Sequence, residues 1–214
     1  MSFFQNTCKP KEIGGKIMVH MMNTGHSSMA EWGFTHMEIQ SDDVCLDIGC
    51  GGGANVRKLL EKSPYGRVTG IDYSEISVEK TRKINKAGIE SKRCEILQGD
   101  VMKLPFRDEI FDVITAFETI YFWPDICEAF KQVYKILKVG GTFMICNESN
   151  GENPRDEKWT NRIQGMKIYN SEQIKKFLED AGFTDVKVDK TKKGWICVVV
   201  KLSLIHISEP TRRS

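Results

Sequence analysis

No run of about 18 consecutive apolar residues occurs in the 214-residue chain, so the sequence predicts no membrane-spanning helix. The opening stretch MSFFQNTCKPKEIGG lacks a basic segment followed by an apolar core, and does not read as a secretory signal. The 7 cysteines, at 8, 45, 50, 94, 127, 146 and 197, are odd in number and contain no CxxC spacing. That argues against a disulfide framework or a zinc site, so no metal is expected; reduced thiols in a cytoplasmic protein, most of them small buried hydrophobes, fit better. Neither sign of charge dominates: 31 basic against 29 acidic side chains leave a formal net charge of +2. Such a balance offers no electrostatic footprint for nucleic acid or an anionic membrane. Internal repeats and low-complexity segments are also missing.

What the chain has is a regular alternation. Between residues 43 and 148, short apolar runs rich in β-branched side chains (DVCLDI, RVTGID, RCEILQ, FDVITAF, GTFMICNE) alternate with segments of helical apolar spacing over Ala54–Lys62, 74–87 and 125–137. Strands alternating with helices of about 10–15 residues imply right-handed crossovers and a parallel sheet covered on both faces. Beyond residue 148 the segment SNGENPRDEKWTNRIQGMKIYN is polar and irregular, with room for one short helix. Residues 171–181 predict a helix stopped by Gly182. FTDVKVDKTKKGWICVVVKL predicts two strands around a Lys-Lys-Gly turn, so the last strand opposes its partner. The expected fold class is α/β, a doubly wound sheet over residues 41–201, preceded by a helical cap or lid over 1–40. Residues 202–214, LSLIHISEPTRRS, fit nothing before them and resemble the translation of a sequencing-library adapter; they read as a non-native tail.

The run LDIGCGGGAN places Gly49, Gly51, Gly52 and Gly53 between the first strand and its helix. Glycine admits positive φ and close backbone approach to a ligand, and a helix starting at Ala54 offers free N–H groups. Gly49, Gly51 and Ala54 satisfy G-x-G-x-x-G/A, the dinucleotide fingerprint, a weak match on its own. No Lys-Ser/Thr follows at phosphate-loop spacing, which excludes a nucleoside-triphosphate loop. Asp47 would repel a pyrophosphate and suits a cationic ligand group, such as an ammonium near a sulfonium; the competing reading is a helix cap or a satisfied structural acid. Asp72 in GIDYS closes the second strand, where an acid accepts hydrogen bonds from both ribose hydroxyls. It could instead cap the next helix, a role open to Ser74. Asp100 in QGDVMKLPF ends the third strand, where it could accept from an adenine amino group, with the Val101 N–H meeting the ring; a turn aspartate is the alternative. Acids at three successive strand ends point together to a nucleoside carrying a cationic group.

In order and spacing, LDIGCGGG, GIDYS, QGDVMKLPF, FDVITAFETIYFW and LKVGGTFMICNE resemble the motifs of class I S-adenosylmethionine-dependent methyltransferases, in their ubiquinone-biosynthesis-like small-molecule branch, over residues 42–201. The resemblance implies a Rossmann-like sheet of seven strands with the last one antiparallel, and S-adenosyl-L-methionine as cofactor. It implies that Asp47, Gly49, Cys50, Gly51 and Gly53 hold the methionine portion, Asp72 the ribose, and Asp100 with Val101 the adenine. Met102 becomes an apolar neighbour of the adenine and Tyr73 a further cofactor contact. The implied partner is a small-molecule methyl acceptor, with no nucleic acid or membrane, and the enzyme a monomer or homodimer. One departure is Val139, which stands where many relatives have the proline of L-K-P-G-G; the turn tolerates it.

Methyl transfer from a sulfonium is an in-line displacement in which positioning and desolvation do much of the catalysis. Ligands of open α/β sheets bind beyond the strand C-termini. There, AFETIYFWPD offers Glu118, Tyr121 and Trp123 on the substrate side. Glu118 could accept the acceptor's proton or orient it, or could contact cofactor or cap the helix near Pro124. Tyr121, Phe122 and Trp123 read as pocket wall or as core. In MMNTGHSSMAEWGF, Asn23, Gly25 and His26 interrupt a helical pattern. The resemblance implies a lid there, with His26 either a general base or a cap or surface residue. Trp32 and Phe34 read as lid-to-core packing, and Trp159, Met166 and Tyr169 as candidates for the acceptor pocket. A nicotinamide-dependent oxidoreductase could use the same glycines, but Asp47 and the roughly 40 residues ahead of the first strand argue against it. FETIYF stands where exocyclic-amine methylases of nucleic acid carry N/D-P-P-Y/F. A multi-cysteine arsenic methylase is disfavoured by the scatter of the cysteines. A non-catalytic cofactor-binding protein on the same fold stays open.

Overall fold

The computed structural model describes residues 27–203. His26, the rest of the expected helical stretch before it, and residues 204–214 lie outside the described residues. In chain order the elements are α1 (Ser27–Phe34), β1 (Val44–Ile48), α2 (Ala54–Lys62), β2 (Arg67–Asp72), α3 (Glu75–Ile84), α4 (Lys86–Glu90), β3 (Cys94–Gln98), β4 (Phe111–Phe117), α5 (Ile126–Ile136), β5 (Leu137–Asn147), α6 (Glu157–Arg162), α7 (Ser171–Asp180), β6 (Lys187–Lys190) and β7 (Ile196–Lys201). They build a 7-stranded sheet in the order β3-β2-β1-β4-β5-β7-β6. β1 to β5 pair in parallel. β7 sits between β5 and β6 and runs antiparallel to both, as the terminal hairpin requires. The Rossmann-like α/β fold with a reversed last strand is therefore observed.

Apolar runs make buried strands here because both faces of the sheet are covered. On one face, α5 and α7 deliver Phe130, Val133, Ile174 and Leu178 against Ile114, Phe143 and Ile145. On the other, α1, α2 and α3 deliver Met29, Leu59 and Val78 against Cys45, Val113 and Met144. Side chains cap the helix starts. Asp125 accepts from the Glu128 N–H at the start of α5, and Asn170 and Gln173 form a reciprocal box at the start of α7. Gly182, at φ 102°, ends α7. Among the described residues no helix is long and apolar enough to cross a membrane.

Two boundaries differ from the sequence reading. The helix expected over 74–87 divides at Asn85, whose side-chain amide donates to Thr81 O and Gly53 O, both at 3.0 Å. Leu202, placed at the head of the foreign tail, is buried; its N–H donates to Gly141 O at 2.9 Å and its carbonyl accepts from Gly140 N. Topologically, the chain walks outward from β1 to β3 and then returns to the opposite side of β1 with β4. The order reverses at β1 and β4, so the crevice beyond their C-terminal ends is where an open α/β sheet takes a ligand.

Candidate active site

The glycine loop fills that crevice. The N–H groups of Gly49 and Cys50 both donate to Ile71 O, at 2.8 and 3.1 Å, which folds the loop across the end of β2. Gly49 has φ 73°, and a Cβ there would stand 2.2 Å from Thr119 Oγ1. From behind, Asp72 Oδ2 accepts from the Gly51 N–H at 2.9 Å, and Thr81 Oγ1 donates to Gly51 O at 2.9 Å. With Asn85 on Gly53 O, the loop is fastened at three points to β2, α3 and the turn after α3. Sequence reasoning missed Thr81, Asn85 and Thr119. The available signal was a row of small polar residues at i, i+4 spacing, Ser77, Thr81 and Asn85, on the buried face of a helix.

In front of the loop is a pocket lined by Gly49 to Gly52 of the loop, by Ala54, Asn55 and Lys58 of α2, by Ser27, Met29 and Ala30 of α1, and by Phe117 and Glu118 at the end of β4. Asp47 is not part of this lining. It is 1% exposed and accepts a 2.7 Å hydrogen bond from Thr115 Oγ1 on β4. Burial pushes its carboxyl up to about 7, the Thr115 bond opposing and the charge of Asp72 adding to the rise. Asp47 thus lies beneath the loop against β4, and the anion that lines the pocket is Glu118. Asp72 is also buried and outside this lining, and burial raises its pKa against the bonds from the Ser74 and Gly51 N–H groups. Ser74 itself caps α3 through the Ser77 N–H. Tyr73 is exposed and outside this lining, its carbonyl accepting from Gln98 Nε2 at 3.1 Å. Asp100 caps the turn of Val101 to Lys103 through the Met102 N–H at 2.9 Å. Val101 and Met102 pack at the edge of the core. Because β3, β2 and β1 are neighbours, Asp100, Asp72 and the glycine loop line up along one edge of the sheet.

Glu118 adopts φ 56°, the left-handed region that side chains seldom occupy, at the end of β4. Its N–H donates to Cys146 O at 3.0 Å. Its carboxylate accepts from the Glu148 N–H after β5 and lies 3.2 Å from the Tyr121 hydroxyl. Tyr121 is buried and its hydroxyl also accepts from the Ser149 N–H at 2.9 Å. Burial and the neighbouring Glu118 raise the phenol well above its ordinary value. Tyr121 therefore ties Glu118 to the segment after β5. Trp123 is core: it packs on Phe130 at 5.7 Å and reaches Thr119 Oγ1 with its indole nitrogen at 3.4 Å. Trp159 stays on the surface of α6, Tyr169 stacks on Phe177, and neither these two nor Met166 lines the pocket.

α1 lines one side of the pocket, with Trp32 against Trp195 and Phe34 against Phe117. Glu31 of α1 pairs with Lys58 of α2. At the far end His36 donates from Nδ1 to Trp32 O at 2.8 Å, and its Nε2 lies 2.9 Å from Asp189 Oδ2 on β6. Between these ties Gly33 rests on Cys146, where a Cβ would come within 2.7 Å of the sulfur. The cysteines are less scattered in space than in sequence. Cys146 faces Cys197 across the β5–β7 pair, and its Sγ lies 3.0 Å from Met29 Sδ.

A glycine loop at the switch point of a seven-stranded sheet with one reversed strand defines a nucleotide- or nucleoside-binding α/β protein, and comparison names the family. Residues 39–190 match the family model described as Methyltransferase domain, and the chain belongs to that family. Among curated proteins it is 33% identical over 100 residues to cycloartenol-C-24-methyltransferase 1 of Oryza sativa subsp. japonica, covering 47% of this chain and 29% of the relative. It is 25% identical over 186 residues to demethylmenaquinone methyltransferase of Lactobacillus johnsonii, covering 75% of this chain and 76% of the relative. The chain thus spans less than a third of the plant protein's length and about three quarters of the bacterial one's. Among solved structures, a SAM dependent methyltransferase from Aquifex aeolicus superposes with a TM-score of 0.71 at 21% identity, over 86% of this chain and 97% of that one.

Proposed function

We propose that the protein transfers a methyl group from S-adenosyl-L-methionine to a small-molecule acceptor. The observation that carries this reading is the pocket at the β1/β4 switch point, with its glycine loop tied to the buried carboxylate of Asp72. A carboxylate offers about four lone-pair positions, and Asp72 spends two on the Gly51 and Ser74 N–H groups. The remainder suit the two ribose hydroxyls. Asp100 and the Val101 N–H lie one strand further along, where the adenine would extend; Val101 and Met102 supply apolar contact, and Tyr73 the rim. Gly49, Cys50, Gly51 and Gly53 shape the cradle for the amino acid end. When bound, the cofactor supplies an electrophilic methyl on its sulfonium. This chain's residues contribute orientation and exclusion of water by α1, which an in-line transfer chiefly needs. Glu118 is the anion on the donor's side, held by Tyr121 and the Glu148 N–H. The curated relatives are named for acting on sterols and a menaquinone precursor, which supports an acceptor of small-molecule class. The reading extends to a cytoplasmic enzyme, monomer or homodimer, acting on neither nucleic acid nor membrane. The near-neutral charge balance and the buried thiols support it.

Calorimetric titration with S-adenosylhomocysteine, with NADH in parallel, tests the cofactor. Micromolar binding of the first alone is expected; binding of NADH alone would move the protein to the oxidoreductases. Asp72→Ala should weaken S-adenosylhomocysteine by at least about 10-fold to 100-fold, the worth of one of the two hydrogen bonds to the carboxylate. Circular dichroism should show the fold retained, and undiminished affinity would refute the ribose role.

A further inference from the structure

The pocket carries two opposite charges held apart. Among the described residues that line it, Lys58 is the one cation and Glu118 the one anion. Lys58 stands in the second turn of α2, just past the glycine loop, and Glu118 at the end of β4. One ammonium and one carboxylate on the walls of a pocket complement a zwitterionic α-amino acid. We propose that Lys58 binds the α-carboxylate of the cofactor's methionine end while Glu118 faces its α-ammonium, and that Glu31 of α1 occupies Lys58 in the carboxylate's place when the pocket is empty. This inference rests on the cofactor reading above.

The surroundings of Lys58 support it. A helical lysine ordinarily runs its stem along the surface and its ammonium into water. The Lys58 side chain is only 16% exposed, whereas its partner Glu31 is 68% exposed. The cation is thus turned in toward the pocket and the anion reaches to it from outside. The hydrogen bond from Lys58 holds the Glu31 carboxyl below its ordinary range. An ion pair open to water on one side adds little to stability and yields readily to a competing carboxylate. The competitor proposed here would also meet the N-terminal end of α2, which favours negative charge. Exchange of Glu31 for the ligand would return the Glu31 carboxylate to water, while Trp32 and Phe34 keep α1 packed beside the pocket. The tie of His36 to Asp189 would keep its other end in place.

The test uses two ligands that share the nucleoside and thioether: S-adenosylhomocysteine, and methylthioadenosine, which lacks the amino acid end. Calorimetry on the unmodified chain, Lys58→Met and Glu31→Gln reads the assignment, with thermal melts confirming that each variant is folded. Lys58→Met should weaken S-adenosylhomocysteine about 10-fold to 100-fold, as expected for a lost charge-assisted bond, and leave methylthioadenosine unchanged. Glu31→Gln should tighten S-adenosylhomocysteine and leave methylthioadenosine unchanged. Equal weakening of both ligands by Lys58→Met, or of neither, overturns the assignment. So does a Glu31→Gln variant that weakens S-adenosylhomocysteine, which would make the pair a structural clamp. If the unmodified chain binds neither ligand, the cofactor reading itself fails and this inference with it.

Discussion

Burial raises the carboxyl of Asp47 from 3.8 to about 7, and the sign of the consequence for stability follows from linkage. Between those two values the folded protein keeps a proton on Asp47 that the unfolded chain has released. The stabilisation this represents is complete below about pH 3.8 and is lost as pH rises to about 7. Asp72, also raised by burial, acts with the same sign. Asp47→Asn keeps an oxygen for the Thr115 hydroxyl and removes the titration. The variant should melt at nearly the unmodified temperature around pH 4 and increasingly above it as pH approaches about 7. Thermal midpoints across that range check this, and a constant offset would mean that the charge on Asp47 is not what the fold resists. The same residue shows what the sequence could not disclose. An acid beside a glycine loop is visible in LDIGCGGG, but whether it faces the ligand or the neighbouring strand depends on Thr115, 68 residues away in the chain.

Among the elements, the loop between β1 and α2 is the most constrained. Gly49 and Gly140 both have positive φ, 73° and 82°, yet only Gly49 has a neighbour in the way. Gly140→Ala should cost about 1 kcal/mol, the ordinary penalty of a left-handed alanine. Gly49→Ala adds a collision with Thr119 and should cost several-fold more, with loss of S-adenosylhomocysteine binding. Equal melting temperatures for the two variants would show that Thr119 gives way freely. Helix α2 runs over Ala54–Lys62 as its apolar spacing predicts, because that spacing reports directly which face is buried. The helix predicted over 74–87 breaks at Asn85 for a reason that spacing does not carry. The Asn85 amide is recruited by Gly53, an interaction across 32 residues. Tyr121 and Trp123 lie where strand-end reasoning put them, but a tyrosine that buttresses and one that lines a pocket look alike in a sequence.

At the scale of the molecule, the order of apolar runs and the terminal hairpin were enough to read the parallel sheet and the reversed β7. Each rests on local pattern plus the handedness of crossovers. The limit of the domain was less legible, because Leu202 earns its place only through contacts. A chain ending at Lys201 loses that buried leucine and its bonds to Gly140 and Gly141, and should be less stable by about 2 kcal/mol than one ending at Ser203. Equal thermal midpoints would put the boundary at 201. The insertion of β7 between β5 and β6 also bears on how the protein is made. While residues 196–201 are still inside the ribosome, β6 has no neighbour to join, and the 11-residue β5 shows an open edge. That edge is rich in apolar side chains of the kind that recruits other chains. The interval of greatest aggregation risk therefore runs from the emergence of β5 to that of β7, and closes only when β7 slides into the gap.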